Sequence, residues 1–96
     1  MVVSRKIKVG KRHIPAFLIN LSTKNLIIFR GTKGYVMCGY LNLGAANKFN
    51  DVAIKITGVS SIKEALGGKV HSLSRAAKRL GIYKNQSIRD VLKVIV

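Results

Sequence analysis

Two apolar runs on either side of one short polar loop constrain this chain more than any other feature. Asn25–Arg30 (NLIIFR) and Tyr35–Leu41 (YVMCGYL) bracket Gly31-Thr32-Lys33-Gly34, and β-prone runs joined by a glycine-containing loop predict a hairpin. Neither run alternates: Leu26, Ile27, Ile28 and Phe29 are all apolar, the pattern of a strand covered on both faces. A chain of 96 residues is expected to form one domain, residues 1–96, with one modest core. Its few helices can cover one face of a sheet. The other face is expected to be covered by a second copy of the chain, making a homo-oligomer.

The remaining elements follow from periodicity and punctuation. Val3–Val9 sets Val3, Ile7 and Val9 against Ser4, Lys6 and Lys8, a half-buried strand with one basic face in which Arg5 is the exception. Gly10-Lys11-Arg12 turns into a second strand, His13–Leu21, where Pro15 requires an edge or a bulge because it donates no ladder hydrogen bond. Ser22-Thr23-Lys24 makes the next connection. Past Leu41, Asn42 caps a short helix, Leu43–Phe49. Val52–Val59 alternates as a fifth strand. Ser60 or Ser61 caps Ile62–Leu66, with Glu64 in the first turn where the helix dipole favours an acid. Ser72 or Ser74 opens Leu73–Leu80. Ser87 caps a last helix on which Ile88, Val91, Leu92 and Ile95 share a face. Strands come first and short helices mainly in the C-terminal half. The expected class is α+β, with a mixed β-sheet, an N-terminal β-rich region and the helices on one side.

Charge is the feature that points outward. Lys and Arg number 18 against three acids (Asp51, Glu64 and Asp90), a formal net charge of +15, so most cations have no partner within the chain. Arg75, Lys78 and Arg79 share one helical face, and Lys6 and Lys8 one strand face. These five are the candidate contacts to nucleic acid, made through phosphates and without base readout. Two sharper nucleic-acid signatures fail. Lys33–Tyr40 begins like the aromatic strand of RNA-recognition motifs, but Val36 and Met37 are wrong for it. The loop Gly31–Gly34 imitates a backbone-clamping GxxG, yet it joins strands where that loop joins helices. Tyr35, Tyr40 and Tyr83 could stack on bases, although tyrosines beside strands are more often half-buried core.

Cys38 is the only thiol and the only candidate nucleophile, with His13 or His71 as a base if the fold brings one close. The competing reading is a small buried hydrophobe inside an apolar strand. One Cys permits no internal disulfide and suits the cytosol. Its spacing from the two histidines lacks the close ligand pairs of a zinc site. Three acids leave little room for paired-carboxylate catalysis, and neither a Walker loop nor a GxGxxG is present. No cofactor is therefore expected. No apolar run approaches the roughly 18 residues of a membrane span.

The core Lys24-Asn25-Leu26-Ile27-Ile28, followed by Gly31-Thr32-Lys33-Gly34-Tyr35-Val36-Met37-Cys38-Gly39-Tyr40-Leu41-Asn42, resembles the YunC-like domain family of bacteria and archaea, whose function is unknown. Gly58-Val59-Ser60-Ser61-Ile62-Lys63-Glu64-Ala65-Leu66 and Ala77-Lys78-Arg79-Leu80-Gly81-Ile82 are also similar to family segments. The resemblance covers residues 13–82, with Gly34-Tyr35 and Cys38-Gly39 as its specific centre. It implies an α/β fold whose N-terminal β-rich region associates, as a tetramer, and it implies no catalytic residue. The basic excess is not part of it. The expectation is a small cytoplasmic, basic oligomer that binds nucleic acid non-specifically. The alternatives are a small enzyme or redox protein using Cys38, and a protein–protein scaffold.

Overall fold

The computed structural model describes residues 2–96. Ten elements run in the order β1 (Val2–Val9), β2 (Arg12–Leu21), β3 (Lys24–Arg30), β4 (Tyr35–Met37), α1 (Leu43–Lys48), β5 (Ala53–Lys55), α2 (Ile62–Leu66), β6 (Ser72–Leu73), α3 (Arg75–Arg79) and α4 (Ile88–Ile95). The six strands form one mixed sheet in chain order, β1-β2-β3-β4-β5-β6. All neighbours are antiparallel except β4 and β5, which are parallel and joined through α1. The α+β class and the N-terminal β-rich region are as the sequence predicts. Among the described residues no helix is long and apolar enough to cross a membrane.

Tight turns set the register of the first hairpins. Gly10 (φ 61°) and Ser22 (φ 61°) both take left-handed backbone in the two-residue connections, which matches the twist of the strands they join. Pro15 pairs with Lys6 of β1, and the β2–β3 ladder ends at Ala16 opposite Phe29. Its missing donor therefore faces no β3 partner, so an interior strand tolerates the residue.

One sheet face carries the core. Ile14, Ala16, Ile27, Phe29, Val36 and Ile54 are fully buried there, against Ile62 and Ala65 of α2, Ala77 of α3 and the apolar stripe Ile88, Val91, Leu92 and Ile95 of α4. The expectation of helices on one side is corrected by α1. Its Ala46 packs with Leu41 and Ala53 in a separate cluster that also takes up Tyr35 and Met37. Ala53 and Ile54 are adjacent on β5 and both wholly buried. Adjacent strand residues face opposite ways, so α1 lies on the face away from the main core.

Elsewhere that second face is open. Phe17 pairs with Ile28, Ile19 with Leu26, Ile28 with Met37 and Val2 with Ile19. Val2 is exposed and the others are only half-buried, and Phe17, Ile19 and Ile28 join neither cluster of the described residues.

Other differences are local. The strand expected over Tyr35–Leu41 stops at Met37, because Gly39 and Tyr40 turn the chain after Cys38. The strand expected over Val52–Val59 shortens to Ala53–Lys55, and Gly58 (φ 72°) redirects the chain towards α2. The helix expected over Leu73–Leu80 begins at Arg75, since Leu73 pairs with Ile54 as part of β6. Asn42, Ser61, Ser74 and Ser87 each accept a backbone N–H at the head of a helix. Glu64 turns back to Ser60 Oγ at 2.8 Å, closing the first turn of α2.

The loop Gly31–Gly34 does more than turn. Lys33 N–H donates to the carbonyl of Ile95 at 2.9 Å, and Thr32 Oγ1 donates to that of Val96 at 2.7 Å. A Cβ on Gly31 would run into the Ile95 carbonyl, and one on Gly34 would lie 2.6 Å from that of Val52. Both glycines are needed for close backbone approach.

Candidate functional site

The acids are used up locally. Asp51 accepts a hydrogen bond from Tyr35 Oη at 3.1 Å, Glu64 is held by Ser60 and Ser61, and Asp90 pairs with Lys93 at 3.6 Å on the surface of α4. That exposed pair, three residues apart, is the only ion pair among the described residues, and pairs of its kind contribute little stability. The Tyr35 phenol is pushed above its ordinary pKa, first by burial and then by its hydrogen bond to Asp51 and that carboxylate's charge.

The five cations singled out from the sequence fall into two patches. Arg75, Lys78 and Arg79 are exposed on α3, whose Ala77 faces inward and whose cap, Ser74, follows directly on β6. Arg75 N–H donates to Asn47 Oδ1 at 2.9 Å, which sets the start of α3 against the end of α1 and adds exposed Lys48 to the group. Lys78 and Lys84 then line one groove with Tyr83. Lys6 and Lys8 are exposed on β1, close to Lys11, Arg12 and His13 at the tip of the first hairpin. β1 and β5 are four strand spacings apart, about 19 Å. The fold thus brings Arg75, Lys78 and Arg79 together and leaves Lys6 and Lys8 near the opposite edge.

Cys38 is 5% exposed, and that small fraction decides its surroundings. Its sulfur accepts from Ile27 N–H at 3.5 Å and lies 3.7 Å from the Asn25 carbonyl, while its own N–H donates to Ile27 at 3.2 Å. It therefore extends the β4–β3 pairing past Met37. A cavity of about 490 Å³ lies over it, bordered by Lys24, Asn25, Tyr40, Val59 and Ser60. Neither histidine lines this cavity: His71 sits in the groove with Lys78, and His13 lies on β2 opposite Lys8. Among the described residues no group of His, Cys, Asp and Glu could hold a metal ion.

The tyrosines divide differently from expectation. Tyr35 is half-buried, but Tyr40 is 52% and Tyr83 60% exposed, so two of the three are surface residues. The groove beside Tyr83 escaped the sequence reading because segments on both sides of α3 build it. A lysine next to an aromatic in the turn after Gly81 was the only local signal.

Fold and surface together define a small α+β protein with a chain-ordered mixed sheet, one open apolar face and a largely unneutralised basic surface. The family model described as "Domain of unknown function (DUF1805)" matches residues 37–95, and the chain belongs to that family. It is 30% identical over 96 residues to "Uncharacterized protein YunC" of Bacillus subtilis (strain 168), covering 96% of this chain and 95% of that protein. A crystal structure of a protein of unknown function, TA1206 from Thermoplasma acidophilum, superimposes with a TM-score of 0.95 at 32% identity, over 100% of this chain and 94% of that one. The YunC-like resemblance read from the sequence thus holds, and the matched region runs on through α4, beyond the residues that carried the resemblance.

Proposed function

We propose that this chain is a single-domain, cytoplasmic homo-oligomer that binds nucleic acid non-specifically through its basic surface. The observation that carries the reading is the run of exposed cations Lys48, Arg75, Lys78, Arg79 and Lys84 along α3 and its neighbours, with no carboxylate paired to them among the described residues. Cations held this way repel one another, and a polyanion relieves that repulsion while releasing its own counter-ions. Lys6 and Lys8 share the sheet face of Phe17 by register, and form a second contact region where a partner copy on that face leaves the end of β1 uncovered.

The open face formed by Phe17, Ile19 and Ile28 supports the oligomer, since a second copy would bury what one chain leaves in water. The resemblance to the YunC-like family supports a tetramer. Association would also gather several basic patches on one particle, raising effective concentration along a nucleic-acid strand. The burial of Cys38, its sulfur's backbone hydrogen bonds and the absence of either histidine from the cavity over it weigh against the enzyme or redox alternative, because a nucleophilic thiol needs a base within reach.

An anisotropy titration with labelled duplex DNA from about 50 to 200 mM salt tests the binding. The expected log–log slope is about −0.9 per phosphate neutralised, and replacing Arg75, Lys78 and Arg79 with Gln reduces its magnitude by up to about 3. Binding at low salt to neither this duplex nor a single strand of equal length, or binding insensitive to salt, overturns the reading. Sedimentation of the wild type and of Phe17→Asp tests the oligomer; a wild-type mass of 10.5 kDa, that of one chain, rules it out.

A further inference from the structure

Tyr83 carries more information than a charge count. The residue is 60% exposed, yet its backbone is held on several sides. Tyr83 N–H donates to Gln86 Oε1 at 3.1 Å, and its carbonyl accepts from Gln86 N–H at 3.2 Å. Val70 then ties the turn to the strand region: its N–H donates to Gln86 at 2.9 Å, and its carbonyl accepts from Asn85 at 2.9 Å. More than half of this residue's surface is left in water on a backbone fixed by hydrogen bonds. The ring is a ready surface for a planar partner, because little backbone freedom remains to be lost on binding.

The ring borders an open groove of about 320 Å³. Leu73 and Ile82 form its apolar part, Lys78, Lys84 and His71 its polar edge, and none of the three acids lines it. Ile82 is 2% exposed, so the groove rests directly on the core. Cations for phosphates beside an aromatic face for a base are the two elements of single-strand binding. A duplex keeps its base faces inside its own stack and offers proteins chiefly phosphates and groove edges, which would leave Tyr83 unused.

We infer that this groove binds single-stranded nucleic acid, with one base stacked on Tyr83 and the adjoining phosphates on Lys78 and Lys84. The inference rests on the nucleic-acid reading above and deepens it by naming the form of the polymer. Sequence preference is slight, because every base has a face to stack.

The test uses the full chain at fixed low salt with three probes: oligothymidylate about 12 nucleotides long, a duplex of equal length, and heparin as a polyanion without bases. Tyr83→Leu keeps an apolar side chain and removes the ring; Tyr83→Phe and Tyr83→Trp keep one. Tyr83→Leu is expected to weaken oligothymidylate binding by about 5- to 150-fold, while duplex and heparin binding change by less than about twofold and Tyr83→Phe stays near wild type. The chain has no Trp, so Tyr83→Trp supplies a single emitter whose fluorescence is quenched when a thymine stacks on it. Equal responses of all three probes to Tyr83→Leu, or an unquenched Trp in a saturated complex, overturn the single-strand inference and leave the polyanion reading standing. Wild-type protein that binds none of the probes overturns both.

Discussion

Replacing Ser74 with Ala removes the only fully buried polar side chain among the described residues, and its contacts allow the loss to be worked out. The hydroxyl donates to the Asp51 carbonyl at 2.6 Å and accepts from Ala53 N–H at 3.0 Å and Ala77 N–H at 3.3 Å. It caps α3 and at the same time stitches the start of β5 to that helix. Loss of the cap costs about 1 kcal/mol. Ala53 is wholly buried, so its orphaned N–H incurs a further penalty of about 1–3 kcal/mol. Asp51 is only half-buried, and its carbonyl can turn to water. The expected destabilisation is about 2–4 kcal/mol in urea unfolding, or roughly 10–20 °C in Tm for a domain of this size. Ser87→Ala is the control, because that hydroxyl caps α4 by accepting from Asp90 N–H alone, at 3.2 Å and near the surface. It should cost about 1 kcal/mol. If Ser74→Ala is no more destabilising than Ser87→Ala, the reasoning from burial is wrong.

Gly31→Ala drives a methyl into the Ile95 carbonyl and should cost about 1–3 kcal/mol; Gly39→Ala, with open space at its Cβ, should stay within about 0.5 kcal/mol. Chemical denaturation of the two variants side by side checks this. Tyr35 should ionise above its ordinary value of 10.0, so the folded protein holds that proton longer than the unfolded chain. The associated stability is fully present below the unfolded pKa and is lost as pH rises through the folded one. An ultraviolet titration should show the late tyrosinate transition vanish in Tyr35→Phe, and its persistence there would contradict the assignment. Cys38→Ser should cost about 1–3 kcal/mol, and native protein should resist a thiol reagent that labels the denatured chain at once. Rapid stoichiometric labelling of the folded protein would reopen a redox role.

Some of this molecule was legible in the sequence for definite physical reasons. Alternation in Val3–Val9 and the turns at Gly10 and Ser22 act between chain neighbours, so β1, β2 and β3 could be placed from the letters. Each helix cap is a similarly local device. Other features depend on partners far along the chain. The two residues of β6 are too few to show a period, and their strand character comes from pairing with Ile54 and Lys55. The Asn42 cap predicts α1 but not which side of the sheet receives it; only the joint burial of Ala53 and Ile54 settles that. The basic face of α3 was readable from the spacing of Arg75, Lys78 and Arg79. Its continuity with Lys84 and Tyr83 was not, because the chain passes through Gly81 (φ 90°) between them.

The match between strand order and chain order bears on how the molecule forms. Each strand pairs with the one made just before it, so a growing chain always finds its next docking edge already present. The first three pairings close loops of only a few residues, which keeps contact order low and the entropy of closure small. The parallel step from β4 to β5 must wait for the segment containing α1, and it is the natural slow stage. Until then the apolar edge that β5 will cover remains open to wrong partners. Synthesis delivers strands in the order in which the sheet needs them, and no finished pairing must reopen to admit a later one.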